Sequence, residues 1–264
     1  MEENTQEPKP EESAPVLQPN IALSDALAGV FSEPGETFTE IRHSTRATYW
    51  IIPLIILAVI TSLASFIVLN DEELSSEIKK KQTEAVKERL DKAVKEGKMT
   101  RAEADEQLEK TEKMFGGGIF VAIGIAGGFF SVVIFFFLKA LIYWGVFKIF
   151  KGSGTFINVM NVLGLASIIT SIQMILDTVL AIFTGRLFVN IGPVLLFTEE
   201  QLGSSMYKFV ANFDLINIWY LIVVAIGLSK VSHVKLSISV IVVFALWLIW
   251  VLFTSFGPLN FFGA

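Results

Sequence analysis

The chain has no cysteine in its 264 residues, which removes disulfides, thiol nucleophiles and cysteine metal sites together. It has only two histidines, His43 and His233. Each stands beside basic residues rather than among carboxylates at ligand spacing, so no metal site is expected. No segment alternates convincingly as a strand. Phosphate-binding loops, nucleophile elbows and dinucleotide fingerprints therefore have no strand to follow, and no catalytic or cofactor-binding residue is expected. The formal net charge of -5 comes mainly from the first twenty residues, which excludes a general affinity for nucleic acid. Those residues also lack the basic start and apolar stretch of a cleavable signal, so the first apolar span is expected to serve for targeting.

Charge itself is scarce over much of the chain. From Ile119 to Ala264 only seven residues are basic (Lys139, Lys148, Lys151, Arg186, Lys208, Lys230, Lys235) and four acidic (Asp177, Glu199, Glu200, Asp214). What is present instead is apolar: 53% of residues are hydrophobic and the mean hydropathy is +0.60, above soluble composition. A hydrocarbon core of roughly 30 Å needs about 20 apolar residues in a helix. Five runs qualify: Tyr49 to Leu69, Ile119 to Leu138 with apolar text continuing to Phe147, Ile157 to Phe183, Phe213 to Val231, and Leu236 to Phe256. The expected fold is an all-α membrane bundle of five spans, with the lipid bilayer as first partner.

The remaining segments have distinct characters. Residues 1–20, with five glutamates and four prolines, read as a disordered tail. Residues 21–48 read as amphipathic helices at the interface, with Ser24 and Asp25 as caps, Pro34 restarting a helix, and Phe31 and Phe38 as apolar anchors. Trp50 is a further aromatic anchor, and Pro53 falls in the first turn of span one. Residues 70–118 contain a charged helical hairpin. Over Asp71 to Phe115 there are 13 acidic and 11 basic residues, with Leu74, Ile78, Val86, Leu90 and Val94 at helical spacing, Gly97 as a break, and Thr100 with Glu103 as a capping box. Spans two to five fill 119–256. Between spans three and four, residues 187–197 are too short to cross and are broken by Gly192 and Pro193, so they read as interfacial. Residues 257–264 are a short tail.

Basic residues near span ends give an orientation. With the N-terminus inside, the inner side holds Arg42, Arg46, Lys148, Lys151, Lys230 and Lys235, and the short outer loops hold Arg186 and Lys208. That bias favours a cytosolic N-terminus and an exported C-terminus in the cytoplasmic membrane, with the long hairpin loop given less weight. Two ionisable residues lie within the apolar runs. Lys139 is expected near the inner boundary and Asp177 near the outer one, about 30 Å apart, where snorkelling accounts for each and an ion relay is the functional alternative. Gly124, Gly128, Gly127 and Ser131 place small residues on span two, a surface suited to helix packing within the chain or between copies.

Three stretches resemble the Yip family of Ypt/Rab-interacting membrane proteins, in its bacterial form. They are Gly29 to Phe38 ahead of an aromatic-started span with Pro53, the glycine-rich link from Lys148 to Phe156, and Phe213 to Trp219 running on to Ile226 to Val231. The resemblance implies five spans, a cytosolic N-terminus and no enzyme activity; eukaryotic members are tied to Rab GTPases and vesicle traffic. The reading is a non-enzymatic scaffold or partner-binding protein, with membrane or cytosolic protein partners unknown and a homo-oligomer possible. The alternative is a small transporter or channel for an uncharged or ion-coupled substrate.

Overall fold

A computed structural model of the chain describes residues 21–115 and 118–257, so the acidic tail at 1–20 and most of the C-terminal tail lie outside the described residues. Those described form eleven α-helices and one 3-10 turn, with no strand. Helices α1 (Leu23–Ser32) and α2 (Pro34–Glu40) precede the first span. Ser24 and Asp25 do not cap α1: Ala22 stands at the N-cap without a side-chain bond, and Ser24 Oγ donates to Asp25 Oδ1 at 3.2 Å within the first turn. Packing sets this start, because Leu23 lies against the core. Pro34 does occupy the first turn of α2, where its missing N–H is harmless.

The five membrane-spanning helices are α3 (Thr48–Asn70), α6 (Gly118–Ile149), α7 (Phe156–Thr184), α10 (Leu215–Ser232) and α11 (Leu236–Phe256). Two differ instructively from the apolar runs. Helix α3 begins at Thr48, which puts Pro53 in the helix interior rather than its first turn. Proline there cannot donate to the Tyr49 carbonyl one turn back. Helix α6 runs through Lys139 and reaches 32 residues, about 48 Å at 1.5 Å per residue. A single lysine among leucine and alanine does not stop a helix.

Helix α7 is the central strut, packed between α3 and α10, while α6 and α11 expose most of their apolar surface. Thr155 and Asn158 form a reciprocal capping box at its start, satisfying two amides that a buried helix end would otherwise orphan. Between α3 and α6 stand α4 (Glu72–Lys95) and α5 (Arg101–Phe115), joined by Gly97 at φ +68 and packed on each other as the charged hairpin. Asp71 accepts from the Leu74 amide at 2.9 Å to start α4, and Glu103 accepts from the Thr100 amide at 2.7 Å to start α5. Between α7 and α10 the chain makes a 3-10 turn (Pro193–Leu196) and two short helices, α8 (Glu199–Leu202) and α9 (Ser204–Ala211).

Candidate functional site

Helix packing around α7 rests on missing side chains. A Cβ at Gly164 would lie 2.3 Å from Trp50 Cα and 2.8 Å from the Tyr49 carbonyl oxygen, so α3 and α7 touch backbone to backbone here. The carbonyl left without a Pro53 donor is thus the one that faces Gly164. The Trp50 side chain stacks on Phe136 at 6.0 Å and meets Phe137 edge-on at 5.7 Å, tying α6 to the same point. Trp50 is therefore half-buried inside the bundle as well as near its rim. Nearer the start of α7, Asn158 and Asn161 both donate to the Ser44 carbonyl, at 3.2 and 3.1 Å.

The small-residue surface of span two divides in two. A Cβ at Gly124 would meet Leu69 Cδ1 at 2.3 Å and one at Gly128 would meet Ser65 Oγ at 2.9 Å, so these glycines seat α6 on α3. Gly127 has nothing within 4 Å, and Ser131 Oγ donates within its own helix to the Gly128 carbonyl at 2.9 Å. Gly124 and Gly128 thus serve packing inside the chain, and Gly127 faces away from it.

Of the expected anchors, Phe31 is exposed, but Phe38 is fully enclosed. It is a core residue because Gly227 of α10 leaves room for it: a Cβ there would fall 2.9 Å from the Phe38 ring and 2.5 Å from Val162. Helices α1 and α2 are accordingly built into the bundle through Ala26, Val30, Phe38 and Ile41. No local signal marks this arrangement, since Phe38 and Gly227 are far apart in the chain.

Lys139 and Asp177 form no ion pair with each other. Lys139 is exposed and holds its amine 5.8 Å over the Tyr220 ring of α10. Asp177 interacts electrostatically with Asp214, which caps α10 by accepting from the Ile216 and Asn217 amides at 2.7 and 2.8 Å. Asp177 Oδ1, Asp214 Oδ2 and Asn190 Oδ1 are buried without a hydrogen-bond partner among the described residues.

The hairpin is rooted in the membrane domain. Leu74 is enclosed with Ala181 and Val189, and Gly185 approaches the Glu73 carboxylate so closely that a Cβ would lie 2.9 Å from it. Lys81 pairs with Glu199 of α8 at 2.6 Å and with Glu77 at 2.9 Å. Burial alone would lower the Lys81 ammonium, but the hydrogen bonds to Glu199 and Glu77 outweigh it and the net shift is upward. Residues 187–197 complete this root: Val189 and Val194 are buried while Leu195, Leu196 and Phe197 are exposed. Further out the hairpin carries ion pairs of its own, Arg101 with Asp91 and Lys113 with Glu109 among them.

Two clefts, of about 500 and 400 Å³, lie at the surface. The first is lined by Glu33, Glu36, Glu40 and Lys230, the second by the α3–α4 junction. The bundle axis itself is filled by Val159, Val162, Leu163, Leu165, Ala166 and Ile169 of α7, all buried. Among the described residues no group of three or more histidine or acidic side chains could hold a metal.

A five-span all-helical domain whose first two helices tuck into it is matched by one family model, the Yip1 domain, over residues 28–257. The chain belongs to the Yip1-domain family. The membrane protein YknW of Bacillus subtilis (strain 168) is 23% identical to it over 239 residues, which cover 87% of this chain and 90% of that relative. No solved structure matches it at a significant level. The matched region begins within α1 and ends just after α11, so in this Yip1-domain protein the second half of α1, all of α2 and the charged hairpin are inside the matched range.

Proposed function

We propose that this Yip1-domain protein is a non-enzymatic scaffold of the cytoplasmic membrane, with its N-terminus cytosolic and its C-terminus exported, that offers the α4–α5 hairpin to protein partners. The observation that carries the reading is the filled axis of the bundle: α7 lines its centre with close-packed apolar side chains where a substrate path would have to run. The hairpin supports it from the other side. Its base is enclosed and ion-paired and its outer length is exposed, which holds a polar surface at a set position above the membrane.

A second reading, ion-coupled transport, draws on the three buried acceptor oxygens of Asp177, Asp214 and Asn190, since buried carboxylates within a membrane domain are costly unless they act. One experiment separates the two. Complementation of a deletion strain is compared for a chain with residues 79–113 replaced by a short Gly-Ser link, for Asp177→Asn and for Lys139→Met, at matched membrane levels. The scaffold reading expects loss with the shortened hairpin and near-normal rescue by the point variants. Loss confined to Asp177→Asn and Lys139→Met would make transport the better account.

A further inference from the structure

Three loops meet at the end of the bundle opposite the hairpin. His43, between α2 and α3, stacks on His233, between α10 and α11, with ring centroids 6.0 Å apart. Ser153, between α6 and α7, lies 2.9 Å from His233 Nδ1 through its hydroxyl and donates its amide to the Ser232 carbonyl at 3.0 Å. Gly152 and Gly154 allow that approach, because a Cβ at Gly154 would fall 2.7 Å from the Val231 carbonyl. Around this junction stand Arg42, Arg46, Lys148, Lys151, Lys230 and Lys235, all exposed.

Five of the eleven hairpin cations, Lys81, Lys98, Arg101, Lys110 and Lys113, each have a carboxylate within 3.0 Å. Among the described residues none of the six at the loop junction forms an ion pair. Arg42 Nε reaches only its neighbour His43 Nε2, at 3.1 Å, and Lys148 only the Trp144 ring. Glu33, Glu36 and Glu40 share a cleft with Lys230.

The backbone at this junction holds Lys151 and His233 at a conformational cost. Helix α6 closes with the Gly152 amide on the Phe147 carbonyl at 2.8 Å and the Lys151 amide on the Lys148 carbonyl at 3.0 Å. That double bond pattern places Lys151 at the left-handed position after the helix, where glycine is usual. Lys151 takes φ +60 there, and His233 takes φ +56 at the end of α10. Two of the three non-glycine residues with positive φ among those described, Lys151 and His233, therefore lie in loops that meet at this junction. Strain of this kind gathers where a side chain has a task.

We propose that this junction is a binding site for the phosphate of anionic phospholipid headgroups, built from Lys148, Lys151 and Lys235 with Arg42 and Arg46 at its edge. The five cations stand where the spans end, the depth at which headgroup phosphates lie, and basic pockets between helices take anionic headgroups there. The site does not depend on the scaffold reading, because it asks only that the five apolar helices be in a bilayer.

The test uses the full-length protein in mild detergent and counts retained lipid by native mass spectrometry, with phosphatidylglycerol and phosphatidylcholine offered in equal amounts. Phosphatidylglycerol is expected to be retained at least tenfold over phosphatidylcholine. Each of Lys148→Gln, Lys151→Gln and Lys235→Gln should lower that preference about fivefold, the equivalent of roughly 1 kcal/mol per basic residue. A hairpin control, Lys92→Gln with Lys110→Gln, should leave it unchanged. Lys151→Gly is the decisive variant, since relieving the left-handed backbone should raise the thermal midpoint while the lipid preference falls. Equal retention of the two lipids, or an undiminished preference in Lys151→Gly, overturns the site. Complete displacement of the lipid by millimolar inorganic phosphate would assign the junction to free phosphate and overturn the headgroup as its ligand.

Discussion

Gly164 shows how much of this bundle turns on single atoms. Its hydrogen faces the backbone of Tyr49 and Trp50, so even Gly164→Ala forces two helices apart where neither can yield. Overfilled contacts of this kind cost about 1–3 kcal/mol, and the thermal midpoint in detergent should fall accordingly. Gly127→Ala is the matched control: with nothing within 4 Å of the added methyl it should leave the midpoint level or raise it slightly. Lys151→Gly should stabilise by about 1 kcal/mol, because a left-handed L residue is disfavoured by roughly that amount. Sequence could place Gly124 and Gly128 on a packing surface because their spacing is local. It could not single out Gly164 or Gly227, nor move Phe38 from the interface to the core. Each of those assignments depends on a partner a hundred or more residues away, and spacing carries no information about which distant segment arrives.

The hairpin is the element whose design was most legible. The Gly97 break and the Thr100–Glu103 cap are both in the chain as written, and both stand in the structure. Thr100→Ala should speed amide exchange over the first turn of α5 and little beyond it, which hydrogen exchange of the intact protein resolves. The hairpin's root was not legible, because Leu74, Gly185 and the Lys81–Glu199 pair join segments that have no common pattern. That pair has a defined pH window. The Lys81 ammonium titrates above its ordinary 10.5 in the folded protein, so its stabilisation is complete below that value and is lost as pH rises through the higher folded value. Half-exposed as the pair is, it contributes only about 0.2–1 kcal/mol. The thermal midpoint of the wild-type protein should therefore exceed that of Lys81→Met by a constant small margin up to about pH 10, and the margin should shrink above it.

At the scale of the whole molecule the five spans were readable because charge is nearly absent over twenty-residue stretches, a property that needs no knowledge of neighbours. Their arrangement about α7 was not, since the spans are apolar nearly all round and, apart from the Gly124 and Gly128 surface of span two, do not announce which face they bury. Orientation can be measured directly, as the chain has no cysteine to give background. Lys98→Cys and Gln201→Cys should react with an impermeant maleimide on intact cells, and Thr45→Cys and Ser153→Cys only after permeabilisation; the reverse pattern would invert the proposed topology. The backbone contact between Tyr49 and Gly164 also sets a timetable for synthesis. At 5–20 residues per second the ribosome needs about 6–23 s to advance from one to the other. Through that interval span one waits in the bilayer with the Ser44 carbonyl lacking the Asn158 and Asn161 amides that α7 will bring. A nascent chain stalled before Phe156 should therefore be a substrate for membrane quality-control proteolysis, and one stalled after Thr184 should escape it.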